Sequence, residues 1–475
     1  MNTPTVYHQF ASELPELTVP VTPRSWPDLQ LRQLNDGLAM ELGWDPEWLR
    51  SPSGIQFLTG HNLGPDAQSV AQAYAGHQFG QFNPHMGDGR AILLGEVSDP
   101  HAPEGVLLDL HLKGSGRTPF SKNGDGLYPL QPALKELLYS EALHHLGVPT
   151  SRVLAVFTTG QPVQRGRVQP GAVVLRVAAS HVRIGTFQMA ALLDIHQTKD
   201  ESMPLTQRLA EFVRARHYPT VEPEDFAGLF EAIAARQAQL VAAWMRLGFI
   251  HGVMNTDNIA VSGQTLDFGP CAFMDFFNAD TVYSSIDTHG RYAYGRQPSV
   301  MGWDLARLAE TFVPLVCGGV AELTEIMNRF EDSYASAWRR AMSHALGSTE
   351  AEPKEFIEVL AAEQPDYGAT LRALALTEDL ATSPARDHLT SQAGRQWLER
   401  WWASQPDTAS MRASNPAIIP RNHEVDRALS AAEGGDMALF EEYLAHVRDP
   451  YTDKPGSPLT HARQGAAGFT TYCGT

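Results

Sequence analysis

The residues best suited to chemistry in this chain stand between positions 251 and 269. His251 opens the segment HGVMNTDN, which ends at Asn258, and the tripeptide Asp267-Phe-Gly follows after the stretch IAVSGQTL. That stretch contains Ser262-Gly263, so a short hairpin is expected there. Asn258 and Asp267 would flank the hairpin, and a carboxamide with a carboxylate suits a hard cation such as Mg²⁺. The alternative for the tripeptide is a plain structural turn, because such short matches arise by chance.

The order of these motifs is that of a protein kinase, with one departure. A phosphoryl-transferring kinase carries His-x-Asp-x-x-x-x-Asn, in which the Asp accepts the hydroxyl proton of the substrate. Val253 stands at the position of that Asp, and a valine can neither accept a proton nor orient a nucleophile. Asp257 is the candidate to act as general base from another direction. A solvated or loop-capping role is the alternative for Asp257.

Residues upstream of this segment supply cations. Lys113 ends a strand predicted over Val106–Lys113, and Glu136 lies on a predicted helix that follows. Kinases place the lysine and glutamate of their ion pair in this order. The alternative is that Lys113 is a surface lysine unrelated to the helix glutamate. Arg176 and Arg183 lie on or just after another predicted strand. They could clamp a polyphosphate in bidentate fashion, or they could lie at the surface beside acidic residues.

A glycine-rich segment precedes the lysine and does not match Gly-x-Gly-x-x-Gly. Its Gly87, Gly89 and Arg90 could present backbone N–H groups and one guanidinium to phosphates. Asp125-Gly126 forms a turn on any interpretation, and only its context suggests a phosphate contact.

Composition narrows the class of protein. The chain has 36 Lys and Arg against 54 Asp and Glu, a net charge of -18, which argues against nucleic acid or an anionic membrane as the main partner. No apolar run approaches the roughly 20 residues of a membrane span, and the first ten residues do not resemble a signal peptide. We therefore expect a soluble, cytoplasmic protein without a membrane partner. Three cysteines are too few for a disulfide framework.

The predicted elements indicate an α+β fold of the two-lobed protein-kinase type. At 475 residues the chain exceeds what one simple core usually holds. We expect an N-terminal extension over 1–75 with a helix over Leu29–Glu41, then a β-rich small lobe over 76–185. A helical large lobe over 186–320 would carry the catalytic loop and metal motif, and a helical C-terminal region would follow over 321–475.

Five segments together closely resemble the selenoprotein O family of pseudokinases. They are GHQFG at 76–80, GDGR at 87–90, LKGSGRTPFS at 112–121, HGVMNTDN at 251–258 and LDFGP at 266–270. The resemblance implies a kinase-like fold in which ATP is flipped, so that the γ-phosphate is buried and the α-phosphate faces the acceptor. It implies transfer of AMP to Ser, Thr or Tyr hydroxyls of proteins, with release of pyrophosphate.

Carried over position by position, the resemblance implies a set of site residues. The implied nucleotide contacts are Gly87, Gly89, Arg90, Lys113, Asp125, Gly126, Arg176, Arg183 and Asp267, and the implied metal ligands are Asn258 and Asp267. Under this interpretation ATP and a divalent cation are required, and Asp257 becomes the general base. The sequence leaves Mg²⁺ and Mn²⁺ open.

Two further questions stay open at this point. Cys473 stands where many eukaryotic members of the family carry selenocysteine, and Cys271 follows Asp-Phe-Gly closely, so we hypothesise a regulatory disulfide between them. Two unrelated thiols are the alternative. Other functions compatible with the sequence are an inactive nucleotide-binding pseudokinase that serves as a scaffold, and a small-molecule phosphotransferase.

Overall fold

The computed structural model describes residues 3–103, 105–196, 203–463, 465 and 468–472. A β-rich N-terminal part is followed by a part built mainly of helices, so the chain is mixed α/β. Cys473 lies outside the described residues, and its pairing with Cys271 stays a prediction. Across the part of the chain that the structure describes, no helix is both long enough and apolar enough to cross a lipid bilayer.

The N-terminal part is organised around one antiparallel sheet. Its elements are, in chain order, α1 (Gln9–Glu13), β1 (Thr18–Pro20), β2 (Gln30–Leu34), α2 (Asp36–Glu41), α3 (Pro46–Arg50), α4 (Pro52–Leu58), β3 (Val70–Gln78), β4 (Gln81–Gly87), β5 (Ala91–Ser98), β6 (Leu107–Lys113), β7 (Tyr128–Pro129), α5 (Leu130–His145), β8 (Arg152–Arg165) and β9 (Arg167–Ala178). Among the described residues the strand order is β1-β3-β5-β6-β9-β8-β2, with β4 paired to β3 and β7 paired to β9. The sheet therefore places β6, which ends in Lys113, directly beside β9.

The first part of the chain differs from the sequence expectation in one element. The helix predicted over Leu29–Glu41 was wrong for its first half, because Gln30–Leu34 forms strand β2 and pairs with β8. The helix begins only at Asp36, after Asn35, whose side chain accepts a hydrogen bond from the Leu38 amide. The predicted boundary between residues 75 and 76 falls inside β3, and β1 and β2 belong to the same sheet.

The second part is mainly helical. Its elements are α6 (Ile184–His196), α7 (Leu205–His217), α8 (Phe226–Leu247), β10 (Phe249–Ile250), β11 (Ala272–Phe273), α9 (Gln297–Phe312), α10 (Gly319–Leu346), α11 (Pro353–Glu363), α12 (Tyr367–Ala375), α13 (Gln392–Ala403), α14 (Thr408–Ser414), α15 (Asn422–Glu433) and α16 (Ala438–Val447). The short antiparallel pair β10–β11 joins the chain just before His251 to the chain just after Gly269. This pairing brackets the whole chemistry-bearing segment.

The sheet separates two buried apolar layers. On β9, Val174 packs into the layer that contains α5 and the helical part, whereas Val173 and Leu175 pack into the layer beneath α2–α4. Such alternation follows from the two-residue period of a strand. Because both faces of the sheet are covered, its central strands hold their side chains in fixed positions.

Acid pH is expected to weaken this fold through His217, at the end of α7. Its Nε2 lies 2.8 Å from Ser180 Oγ, and burial lowers the pKa of the ring from 6.5 to about 3. Below pH 6.5 the unfolded chain binds a proton that the folded protein does not bind, so stability falls as the pH falls. In His217→Gln, the loss of unfolding free energy between pH 7 and pH 5 should be smaller by about 2 kcal/mol. Urea denaturation of both proteins at the two pH values measures this, and equal losses would contradict it.

Candidate active site

A cavity of about 530 Å³ opens between the sheet and the segment that follows His251. It is lined by the end of β4, the end of β6, the middle of β9 and the loops after Val253. The residues singled out from the sequence that line this cavity are Gly87, Gly89, Arg90, Lys113, Asp125, Gly126, Arg176, Arg183, Asp257, Asn258 and Asp267. The tertiary structure thus brings together residues from distant parts of the chain.

Three buried cations converge on Asp267 at the closed end of the cavity. Lys113 Nζ lies 2.9 Å and Arg176 Nη2 3.2 Å from Asp267 Oδ1, and Arg183 Nη2 lies 3.9 Å from Oδ2. Glu136, on α5, holds two of them from behind. Its Oε2 is 2.9 Å from Lys113 Nζ and its Oε1 is 2.7 Å from Arg176 Nε. All three cations are at most 4% exposed, so their head groups are fixed before any ligand arrives.

The protonation state of the Asp267 carboxyl follows from these neighbours. Burial acts to raise the pKa of its carboxyl, but Lys113, Arg176 and Arg183 hold that pKa well below its usual range. Asp267 is therefore ionised at neutral pH. Its φ of +65° lies in the left-handed region, which a residue with a side chain rarely adopts. Strained backbone of this kind is concentrated at functional sites, where the surrounding structure enforces it.

Arg183 is held on three sides. Its guanidinium carbon lies 4.7 Å from the ring centre of Tyr74, and its Nη1 donates to the His181 carbonyl at 2.8 Å. Its Nη2 lies 3.8 Å from Asp88 Oδ1. Asp88 in turn contacts His111 Nε2 at 3.0 Å. These contacts fix the direction in which Arg183 faces the cavity.

The loop after His251 is anchored by its backbone and its ring. The backbone N–H of His251 donates to Gln297 Oε1 at 2.9 Å, and its ring Nε2 lies 2.9 Å from the Leu266 carbonyl oxygen. Val253 is buried, and its carbonyl accepts from Asn258 Nδ2 at 3.0 Å. The valine that replaces the kinase Asp therefore serves the packing of this loop.

Asp257 lies under the β3–β4 hairpin. His77 N donates to Thr256 Oγ1 at 2.7 Å and Phe79 N donates to Asn255 Oδ1 at 3.0 Å, which fastens the hairpin to the loop. A side chain at Gly76 would place its Cβ 3.3 Å from Asp257 Oδ1. Among the described residues this Oδ1 has no hydrogen-bond partner, and burial raises the pKa of the carboxyl to about 6. A carboxylate with one oxygen free of hydrogen bonds and a raised pKa is suited to accept a proton.

The glycine-containing loops allow close approach to the cavity. Gly126 has φ +72°, and a Cβ there would lie 2.1 Å from the Gly116 carbonyl carbon, so no other residue fits. Asp125 lines the cavity, but its carboxylate oxygens accept from Arg165 Nη2 and Nη1 at 2.7 and 2.8 Å. This hydrogen-bonded pair lowers the pKa of Asp125 to about 2. The Asp125 side chain thus holds the loop to the β8–β9 hairpin.

Asn258 and Asp267 have the donor atoms that a hard cation requires. Asn258 uses its amide nitrogen on Val253, which leaves the amide oxygen as the atom that can bind a cation. Asp267 offers Oδ2, because Oδ1 contacts Lys113 and Arg176. Among the residues that the structure describes, no group of three or more His, Cys, Asp or Glu could hold a metal. Two oxygen ligands fit Mg²⁺ or a similar ion that also binds phosphate oxygens.

Several cavity residues were not singled out from the sequence. Asp88 lies within the segment GDGR itself, and His111 stands two residues before Lys113 on the same strand face, so both had a local signal. Tyr74, Tyr128 and Arg165 also line the cavity, and nothing in their local sequence indicated it. Only the pairing of distant strands places them there.

Cys271 does not line this cavity. Its side chain is fully buried, and its thiol donates to the Phe268 carbonyl at 3.2 Å. Burial raises the pKa of the thiol to about 12. In this conformation the thiol is protonated at neutral pH, so its oxidation would require the segment after Asp267 to open.

Comparisons with known proteins identify the family of this chain. Residues 3–448 match the model of the family described as protein adenylyltransferase SelO. The chain is 46% identical over 492 residues to the protein nucleotidyltransferase YdiU of Corynebacterium efficiens, which covers 99% of this chain and 96% of that protein. It is 45% identical over 488 residues to the protein of the same name from Mycolicibacterium paratuberculosis, covering 98% and 97%. The corresponding protein of Mycolicibacterium smegmatis is 44% identical over 489 residues, covering 99% and 98%.

Proposed function

The chain belongs to the protein adenylyltransferase SelO family and is a nucleotidyltransferase, and we propose that it transfers AMP from ATP to Ser, Thr or Tyr hydroxyls of other proteins. The observation that carries this proposal is the arrangement around the cavity. Lys113, Arg176 and Arg183 converge on Asp267 at the closed end, and Asp257 supplies a carboxylate although Val253 stands at the position of the kinase base.

We propose that ATP enters with its γ-phosphate foremost. The three cations at the closed end are almost fully buried, so the group with the highest negative charge binds deepest. The α-phosphorus would then lie nearer the mouth, where a protein hydroxyl can approach. This orientation accounts for the two arginines that an ordinary kinase does not require. Gly87, Gly89, Arg90 and the Asp125-Gly126 loop would contact the rest of the nucleotide.

The transfer step follows from this orientation. The acceptor hydroxyl loses its proton to Asp257, and its oxygen forms a bond to the α-phosphorus. The bond between that phosphorus and the oxygen bridging to the β-phosphate breaks, and pyrophosphate leaves. Lys113, Arg176 and Arg183 stabilise the charge that develops on the leaving group. A divalent cation held by Asn258 and Asp267 would offset the charge of the phosphates and of Asp267.

We also propose that the fold is kinase-like, with a β-rich small lobe followed by a helical large lobe. The support is that Lys113 on a sheet strand meets Glu136 on the following helix at 2.9 Å. In addition, residues from Val253 to Gly269 line the same cavity as Lys113, and Asp267 lies 2.9 Å from the Lys113 ammonium. A kinase places its lysine, glutamate and metal motif in this relation.

Separately labelled nucleotides test the reaction. The protein is incubated with candidate acceptor proteins, a divalent cation and ATP labelled at either the α- or the γ-phosphate. We expect protein-bound label only from the α-labelled ATP. Label only from the γ-position would indicate phosphotransfer instead, and the use of small-molecule acceptors in parallel identifies a small-molecule phosphotransferase. No transfer to any acceptor, with ATP bound, would indicate a scaffold.

A further inference from the structure

The ring of Tyr128 lies against two cations of the cavity. Its ring centre is 4.7 Å from Lys113 Nζ and 5.0 Å from the Arg90 guanidinium carbon, and its hydroxyl donates to Glu136 Oε2 at 3.1 Å. Only 2% of the residue is exposed. We propose that Tyr128 is a positioning residue for polyphosphate binding, whose ring holds Lys113 and Arg90 toward the phosphates of the nucleotide.

The physical reason lies in what an aromatic ring adds to such a site. Asp267, Glu136 and Asp88 already place carboxylates beside the cations. A further carboxylate would orient a cation but would also repel phosphate. A ring attracts a cation through its quadrupole and carries no net charge. Tyr128 can therefore restrict two cations while leaving their full charge available to the ligand.

The surrounding backbone brings the ring to this place. Tyr128 belongs to the two-residue strand β7 and pairs with Ala172 of β9, directly before α5 begins. Gly114 follows Lys113 with φ +87°, and a Cβ at Gly114 would lie only 2.9 Å from Tyr128 Cβ. A residue other than glycine at 114 would therefore clash with Tyr128 Cβ and, at 2.5 Å, with the Ala172 carbonyl oxygen. The Tyr74 ring also packs against a cation, since its centre lies 4.7 Å from the Arg183 guanidinium carbon. It contacts one cation of the cavity, whereas Tyr128 contacts two.

Binding measurements with two partial ligands test the proposal, which rests on the proposed binding of ATP. Calorimetry would give dissociation constants for ATP, for inorganic tripolyphosphate and for adenosine, each with Mg²⁺, in Tyr128→Phe and Tyr128→Leu. Tyr128→Leu should raise the dissociation constants of tripolyphosphate and ATP about ten-fold, because two cation–π contacts are lost. The dissociation constant of adenosine should change by less than about two-fold. Tyr128→Phe keeps the ring, so its dissociation constants for all three ligands should stay within about three-fold of the wild-type values.

Three results would overturn the proposal. They are unchanged tripolyphosphate binding in Tyr128→Leu, an equal loss of adenosine binding, and a loss in Tyr128→Phe as large as that in Tyr128→Leu. If Tyr128→Leu does not fold, Tyr128→Met replaces it, since it removes the ring and fills similar space. The matched control is Tyr139→Leu, because Tyr139 is equally buried and its ring lies 5.2 Å from Lys135 Nζ, outside this cavity. This control should lower the melting temperature and leave tripolyphosphate binding within about two-fold.

The same data separate this proposal from the proposed function. If the wild-type protein binds tripolyphosphate in a Tyr128-dependent way but transfers no AMP, the proposed function fails and the role of Tyr128 stands. If AMP transfer is found and tripolyphosphate binding does not depend on the ring, only the role of Tyr128 fails.

Discussion

Replacing Asp257 by Asn is expected to lower kcat for AMP transfer about 10²- to 10⁴-fold, the range that general-base catalysis contributes. The affinity for ATP should change less than about three-fold, because Asn has the same shape and Asp257 is proposed to act on the acceptor hydroxyl. The physical basis is that Asp257 lines the cavity half-buried, its Oδ1 has no hydrogen-bond partner among the described residues, and burial raises the pKa of its carboxyl to about 6. Initial rates with α-labelled ATP and calorimetric ATP binding measure the two quantities.

Asp304 provides the matched control for this substitution. It lies on α9, is fully buried, and neither of its carboxylate oxygens has a hydrogen-bond partner within the described chain. Burial raises the pKa of Asp304 well above its usual range, so the protonated side chain resembles Asn. Asp304→Asn should therefore retain kcat within about three-fold. An Asp257→Asn protein that keeps more than a tenth of the wild-type kcat would contradict the assignment of the base.

Replacing Asp267 by Asn should reduce kcat for AMP transfer by about 10³-fold or more, measured at divalent-cation concentrations that saturate the wild-type protein. Two effects combine in this variant. The proposed cation site loses its only carboxylate, and Lys113 and Arg176 lose the oxygen that lies 2.9 and 3.2 Å from them. Because Glu136 remains, the two cations should stay in the cavity, so the protein is expected to fold.

Titration of Mg²⁺ and Mn²⁺ against the rate of AMP transfer measures the effect of Asp267→Asn. The wild-type protein should show a saturable requirement for the cation, and the variant should show no saturation at concentrations where the wild type is saturated. Asp125→Asn is a control for the cation requirement alone: because the Asp125 carboxylate binds Arg165, the rate of this variant should still saturate with the cation, whatever the change in nucleotide binding. If Asp267→Asn retained activity within about ten-fold and an unchanged cation requirement, Asp267 would not be a metal ligand.

Much of the helical part was predictable because its apolar residues repeat with helical spacing. The strand predicted over Val106–Lys113 is confirmed as β6. The segment Gln30–Leu34 was mistaken for helix, since five residues carry too little periodicity to distinguish the two and the pairing with β8 decides the outcome. Local spacing reports on local structure, and pairing with a distant strand is not encoded in it.

The sequence by itself determined which chemistry is available. Val253 excludes the usual kinase base, Asp257 is the candidate proton acceptor, and Asn258 and Asp267 are the candidate oxygen ligands for a different transfer reaction. These conclusions follow from side-chain type and from spacing within one short segment. They require no knowledge of the rest of the fold.

Only the tertiary structure decided how these groups are arranged. The pairing of β6 with β9 sets Lys113 and Arg176 on one site, and hydrogen bonds fasten the β3–β4 hairpin to the loop that carries Asp257. The tertiary structure also pairs Asp125 with Arg165 and places the Tyr128 ring against two cations. The physical reason is that the energies of ion pairs, cation–π contacts and buried carboxylates depend on distance and burial, which are set by contacts between residues far apart in the chain.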